Sequence, residues 1–210
     1  QQFGQFASSM GISADDTIVV YDGPGFFSAP RVWWMFRLMG ASKVFVLDGG
    51  FDGWELQGRR VTDEPTRIAP SYFDVVEASE QAATFDDMLH IVESGSSQIA
   101  DARSPGRFTG EEAEPRPGMR SGHMPGARNV PATALSKDGK LLPAEELRAV
   151  LEKAGLDLTR SVVTSCGSGV TAAVISLALA SVGHTDNRLY DGSWTEWGGR
   201  SDTPVATGKD

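Results

Sequence analysis

Val162-Val163-Thr164-Ser165-Cys166-Gly167-Ser168-Gly169-Val170-Thr171-Ala172-Ala173 is the stretch on which the reading of this chain turns. The β-branched run at its start predicts a short strand. Gly167 and Gly169 interrupt it, and the apolar stretch that follows, to about Val182, predicts a buried helix. The one cysteine of the chain falls at the end of the strand. Both glycines permit positive φ, so the backbone is expected to fold into a cup with successive N–H groups turned inward. The helix starting there adds its unpaired N–H groups and the positive end of its dipole. A sulfur held in such a cup is favoured as an anion, and the thiolate is the nucleophilic form. A buried structural cysteine is the commoner role of a lone Cys. That role needs no glycines on either side of a hydroxyl residue.

What the loop lacks narrows the chemistry. Cysteine phosphatases place an arginine six positions after the nucleophile to grip phosphate oxygens. Here that position is Ala172, and 167–173 holds no cation. The cup therefore suits one additional sulfur atom better than a phosphoryl group. Ser168, two residues past Cys166, is placed to donate to the sulfur or relay a proton; its alternative is capping the helix.

The run Cys166-Gly-Ser-Gly-Val-Thr-Ala172 resembles the active-site loop of the rhodanese superfamily. Its Gly167-Ser168 pair is similar to the 3-mercaptopyruvate branch rather than the thiosulfate branch, whose loop carries Arg-Lys there. The resemblance implies an α/β fold of tandem rhodanese-like domains, each a mainly parallel sheet with helices on both faces. It implies that Cys166 takes the sulfur of 3-mercaptopyruvate as a persulfide, with Gly167, Gly169, Val170 and Thr171 lining the substrate. Pyruvate is then released, and a thiol acceptor such as thioredoxin, or cyanide, receives the sulfur. No metal or organic cofactor is implied. Two alternatives remain. One is a thiosulfate:cyanide sulfurtransferase, disfavoured because the loop offers that dianion no cation. The other is a non-catalytic sulfur-carrier or binding module, against which the intact Cys166 loop argues.

Composition agrees with this class. The 210 residues are 40% hydrophobic and 22% charged, normal for one large or two ordinary globular domains. A net charge of −9 disfavours nucleic acid and anionic membranes as partners, and means that an anionic substrate needs locally placed arginines. The longest apolar run, 170–182, is too short to span a bilayer. A single cysteine excludes an internal disulfide framework and, with no visible signal peptide, predicts a cytoplasmic location. The chain as given starts with Gln rather than Met, and so reads as a processed or truncated piece.

The order of elements repeats. A helix over 2–10 leads to a strand over 17–21, then the loop beginning at Asp22. Ser28 is the expected N-cap, with Pro30 in the first turn, of a helix to about Met39; a strand over 43–47 and a turn carrying Trp54 follow. The same order returns as strand 161–165, the Cys166 loop, helix 170–182, strand 188–190 and a turn carrying Trp194 and Trp197. Gly40 with Gly183, Asp48-Gly49 with Asp191-Gly192, and Trp54 with Trp197 share one offset of 143. The first loop is one residue longer, which places Asp22 where the second copy has Cys166. This predicts a duplicated unit whose first copy is catalytically silent, since a carboxylate cannot carry sulfane sulfur. Phe26, Phe27, Trp33 and Trp34 of that copy are read as core in preference to cleft walls.

The second copy has a front portion that the first does not match: a helix near 84–92, a strand over 98–100, Asp101-Ala-Arg103, and Gly122-His-Met-Pro-Gly-Ala127. The expected organisation is a partial domain over 1–58, a Pro- and Thr-rich linker over 59–83, and a catalytic domain over 84–210. A separate N-terminal piece is one way to complete the first domain. Within the second, 143–154 reads as an amphipathic helix. The stretch from 103 to about 121 reads as an irregular loop, and contains Arg103, Arg107, Arg116 and Arg120. Guanidinium groups bind carboxylates bidentately, which suits a 2-oxo acid; equally, these arginines could pair with Glu111, Glu112 and Glu114. The resemblance implies that Arg107 and Arg116 hold the substrate's carboxylate and keto group, and that Arg103 makes a structural ion pair. His123 reads as a turn-pinning histidine. His90 and His184 lack partners at ligand spacing, so no metal site is expected.

Overall fold

A computed structural model of the chain describes residues 2–23 and 25–208. Contacts divide the chain into two compact units, Gln1–Ser79 with Asp138–Lys140, and Glu80–Lys137 with Leu141–Asp210.

The first unit runs α1 (Gln2–Ser9), β1 (Ile18–Val20), α2 (Ala29–Leu38), β2 (Val44–Val46) and α3 (Gly50–Leu56). β1 and β2 are parallel, Ile18 opposite Val44 and Val20 opposite Val46. A parallel pair needs a crossover, and α2 supplies it. α2 buries Trp33, Trp34, Phe36 and Leu38, so the tryptophans are core, while Phe27 stays 58% exposed. Phe73 joins this core: its ring lies 5.9 Å from Phe36 and 5.6 Å from Phe3. The amides of Val76 and Ala78 donate to the carbonyls of Met39 and Leu38, at 3.3 and 2.8 Å. The linker expected over 59–83 is therefore shorter in the fold. Its later part closes the end of α2, and its last two residues form a strand of the second unit.

That unit contains β3 (Ala82–Ala83), α4 (Phe85–Ser94), β4 (Gln98–Asp101), α5 (Pro105–Thr109) and β5 (Ala127–Asn129). A small hairpin, β6 (Ser136–Lys137) and β7 (Lys140–Leu141), leads to α6 (Ala144–Lys153), β8 (Val162–Ser165), α7 (Ala172–Ser181), β9 (Asn187–Tyr190) and α8 (Ser193–Trp197). Five strands form a sheet in the order β3-β9-β8-β4-β5, with every pair parallel. Thr84 opens α4 with a capping box, its hydroxyl accepting the Asp87 amide and the Asp87 carboxylate accepting the Thr84 amide. β8 is central, so all four of its residues are buried and it reads as a continuous rather than an alternating strand. α7 is apolar all round because it is buried nearly throughout. The stretch after Arg103, expected to be irregular, contains the short helix α5 before it opens into loop.

The duplication holds at the level of register. Val162 faces Asn187 and Thr164 faces Leu189, the same pairing as Ile18 with Val44 and Val20 with Val46. The surroundings differ. In the second unit Met88 and Ile91 of α4 cluster with Val163, which is 1% exposed. Its counterpart Val19 is 52% exposed, beside Phe45 at 56%. Among the described residues β1 and β2 pair only with each other.

Candidate active site

Cys166 follows directly on β8, at the carboxyl end of the sheet, where open α/β folds place their ligands. It is 2% exposed. The loop after it is shaped by α8. The Cys166 carbonyl accepts the Trp194 amide at 2.9 Å, and the Gly167 carbonyl accepts the Thr195 amide at 2.9 Å and the Thr195 hydroxyl at 2.6 Å. Both peptides are trans, so the N–H groups of Gly167 and Ser168 are turned the other way, away from α8. Two carbonyls are fixed on the α8 side of the loop, and peptide planarity turns these two amides to the opposite side. The Cys166 amide is itself held by the Ser193 hydroxyl at 3.2 Å, and that hydroxyl donates to the Tyr190 carbonyl at 2.9 Å.

The two loop glycines serve different ends. Gly169 has φ 79°, a conformation that favours glycine. Gly167 is not in that region, contrary to the expectation for both. It leaves room for a neighbour: a Cβ there would lie 2.9 Å from Nη2 of Arg107, and the guanidinium would have to shift. The loop sequence has no cation, but the fold brings one to it from α5.

Arg107 is clamped. Its Nη2 donates to Glu114 Oε2 at 2.5 Å and its Nε to Oε1 at 3.1 Å. Glu114 also takes Arg103 Nη1 at 2.8 Å, and its side chain is only 4% exposed. Burial alone would raise the Glu114 carboxyl; hydrogen bonds from Arg107 and Arg103, with their charges, hold it below the usual carboxylate range. Arg103 is structural, as expected: it is buried, forked onto Asp101, bonded to the Gly122 carbonyl, and stacked 4.4 Å from the Trp194 ring centre. Arg120 is also structural, holding the carbonyls of Trp197, Gly198 and Thr203. Arg116 differs from all three. It is exposed, and its Nη1 donates to the Thr195 hydroxyl at 2.7 Å. Arg107 and Arg116 thus meet the loop at the same residue, one against the Gly167 α-carbon and the other through Thr195 to its carbonyl.

Ser168 is half-buried, and its hydroxyl bonds to no described residue; α7 is preceded by Thr171, which makes no side-chain cap either. The capping role weighed for Ser168 is therefore not the one the fold uses. His123 is fully buried, stacked on Phe108 at 3.8 Å between ring centres, with Nδ1 2.8 Å from the Phe108 carbonyl. It pins a turn. His184 is held between the carbonyls of Leu158 and Asp186. Among the described residues no group of three His, Cys, Asp or Glu side chains is arranged to hold a metal ion. Sequence reasoning did not find Ser193 or Thr195, because each reaches the loop from 27 or 28 residues away. The repeated tryptophan turn was the one available sign that this segment matters.

The first copy of the loop is filled by its own side chain. The Asp22 carboxylate accepts the amides of Phe27 at 2.7 Å, Ser28 at 3.0 Å and Ala29 at 3.0 Å, and the Ser28 hydroxyl at 2.5 Å. Ser28 does precede α2, but it does not cap it; its hydroxyl donates to Asp22 instead, and the carboxylate does the capping. Burial would raise Asp22, yet the Ser28 hydroxyl and these three amides hold it below the usual range. The Phe51 amide donates to the Asp22 carbonyl at 2.9 Å, the counterpart of Trp194 on Cys166.

Residues 1–57 and 84–200 match the family model described as a rhodanese-like domain. The chain belongs to the rhodanese-like domain family. Within it, the chain is 40% identical over 205 residues to a 3-mercaptopyruvate sulfurtransferase of Escherichia coli K12, covering 98% of this chain and 73% of that one. It is 43% identical over 213 residues to a thiosulfate sulfurtransferase of Bos taurus, covering 99% and 72%. The rhodanese-like fold also superimposes on the crystal structure of the 3-mercaptopyruvate sulfotransferase SseA from Escherichia coli. That match has a TM-score of 0.83 at 37% identity, and covers 92% of this chain and 72% of that one.

Proposed function

We propose that this chain is a sulfurtransferase that takes sulfur from 3-mercaptopyruvate onto Cys166. The observation that carries this reading is the convergence of Arg107 and Arg116 on Gly167, the residue after the buried Cys166. The Cys166 thiolate attacks the thiol sulfur of the donor; the S–S bond forms as the carbon–sulfur bond breaks. The electron pair leaves on carbon as the enolate of pyruvate, and the former thiol proton ends on its methyl group. Arg107 and Arg116 hold the carboxylate and the developing enolate oxygen. Ser168, two residues on, donates to the sulfur in this reading. A thiol acceptor such as thioredoxin or a small thiol, or cyanide, then attacks the outer sulfur and regenerates Cys166, with no cofactor taking part.

The silent copy supports this chemistry by its geometry. A carboxylate oxygen of Asp22 stands two atoms beyond Cβ, as the outer sulfur of a cysteine persulfide does. The donors around Asp22 are the Phe27, Ser28 and Ala29 amides and the Ser28 hydroxyl. The offset of the repeat maps them onto the amides of Val170, Thr171 and Ala172 and the Thr171 hydroxyl. An anionic persulfide on Cys166 would find the same set of donors.

Thiosulfate is the second donor to weigh. The Arg107 guanidinium against Gly167 supplies the cation that the loop sequence lacks. The uncovered face of β1 and β2, bearing Val19, Tyr21 and Phe45, supports association with a separate helix–strand piece resembling α4 and β4. A lone cysteine that must remain a free thiol suits a reducing compartment such as the cytoplasm.

Intact-mass measurement after incubation with each donor tests the reading. One added sulfur on Cys166 from 3-mercaptopyruvate, removed by dithiothreitol, is the expected result. Loading by thiosulfate alone would transfer the assignment to that donor, and no loading by either would overturn it.

A further inference from the structure

The four arginines after Asp101 differ in what holds them. Arg103 and Arg107 are tied to carboxylates, and Arg120 to backbone carbonyls. Arg116 lies between Pro115 and Pro117 in an exposed loop, and among the described residues no carboxylate pairs with it. Its one side-chain anchor is the Thr195 hydroxyl. A hydroxyl has one hydrogen to donate and lone pairs to accept with. Here the donation goes to the Gly167 carbonyl at 2.6 Å and the acceptance is from Arg116 Nη1 at 2.7 Å. The result is a chain from guanidinium to hydroxyl to the carbonyl of the residue after the nucleophile. Hydrogen bonds in series polarise one another, so the cation strengthens the bond that fixes the loop. Because the anchor is neutral, the Arg116 charge is left for an anionic ligand. Arg107, by contrast, gives Nε and Nη2 to Glu114, a carboxylate it shares with Arg103.

We propose that Thr195 is a positioning residue: it fixes Arg116 to the nucleophile loop, and so sets the preference for a sulfur donor that bears a carboxylate. This role rests on the sulfurtransferase reading above. Without the hydroxyl, Arg116 is an arginine on a mobile-ended side chain with no fixed direction, and holding it for the donor costs side-chain entropy at each binding event. A donor without a carboxylate has less to lose.

The test compares Thr195→Val, which keeps the shape and removes the hydroxyl, with Thr195→Ser, which keeps the hydroxyl. For 3-mercaptopyruvate, Thr195→Val should raise KM about tenfold, the size of one hydrogen bond to a charged group, with a much smaller change in kcat. Thr195→Ser should restore KM to within about twofold, and the loss with thiosulfate should be several-fold smaller than with 3-mercaptopyruvate. The dissociation constant of pyruvate, measured by calorimetry, should weaken in step with KM, giving a readout that needs no turnover. Equal losses with both donors, or a Thr195→Val enzyme with unaltered KM and pyruvate affinity, would overturn the role of Thr195 alone. A wild-type protein that neither gains sulfur from 3-mercaptopyruvate nor binds pyruvate would overturn both the role and the function beneath it.

Discussion

Asp22 and Cys166 stand at the same point of two copies of one strand–loop–helix unit, and the copies have kept their register while differing at that residue. In each, an amide from the following short helix takes the carbonyl of the key residue at 2.9 Å: Phe51 for Asp22 and Trp194 for Cys166. In the first copy the key residue supplies its own anion, and the amides of three residues close on it. In the second the residue is a buried thiol, one atom shorter in reach than a carboxylate. A strand-to-helix loop with inward amides is suited to hold an anion, and on the function proposed above what stands at its first position decides whether that anion is resident or exchanged.

The strongest way to sharpen that comparison is to convert one copy into the other. Cys166→Asp should give the second unit a resident carboxylate held by the amides of 170–172. Pyruvate release from 3-mercaptopyruvate should fall more than about a thousandfold, as expected on loss of a nucleophile. The urea midpoint should stay at or above that of Cys166→Ser. A marked loss of stability in the Asp variant alone would show that the second cup does not accept what the first one holds.

A smaller effect is expected from emptying the first copy. Asp22→Ala strands three amides and a hydroxyl that now share one carboxylate. Loss of a capping acceptor costs about 2 kcal/mol at the upper end of such changes, to be read from urea unfolding monitored by tryptophan fluorescence. A change below about 0.5 kcal/mol would mean that water serves these donors as well as Asp22 does.

Acid should erase the difference gradually. Asp22 and Glu114 are both held below the usual carboxylate range in the fold. The unfolded chain therefore binds more protons than the folded one at acidic pH, and unfolding is favoured as pH falls. Their contribution is complete above the unfolded value of about 4 and is lost as pH drops through the lower folded values. Urea midpoints of wild type and Asp22→Asn, measured from pH 7 to pH 3, should converge on acidification. A gap that stays constant would place the stabilisation by Asp22 outside its charge.

How much of this was legible in the chain follows from the range of each interaction. The β8–loop–α7 segment, the amphipathic α6 and the repeat were readable because their causes are local: β-branched runs, glycine breaks and periodic apolar residues. Arg103 and His123 were assigned to structural roles in advance, and they hold them. Two local readings failed for non-local reasons. The sequence suggests a positive-φ glycine at 167, but Gly167 is outside that region and instead lies against Arg107, which comes from another element. Ser28 was read as a cap, but a carboxylate six residues earlier takes that place.

The sequence by itself determined the class of fold, the duplicated unit and the place of the one cysteine at the end of a strand, because each is written in residues adjacent along the chain. The tertiary structure decided which arginines reach the loop and with what charge left to offer. Arg103, Arg107, Arg116 and Arg120 are alike in sequence. They differ because parallel β4 and β8 set α5 and the loop after it beside the Cys166 turn, and because α8 returns to present one threonine hydroxyl there.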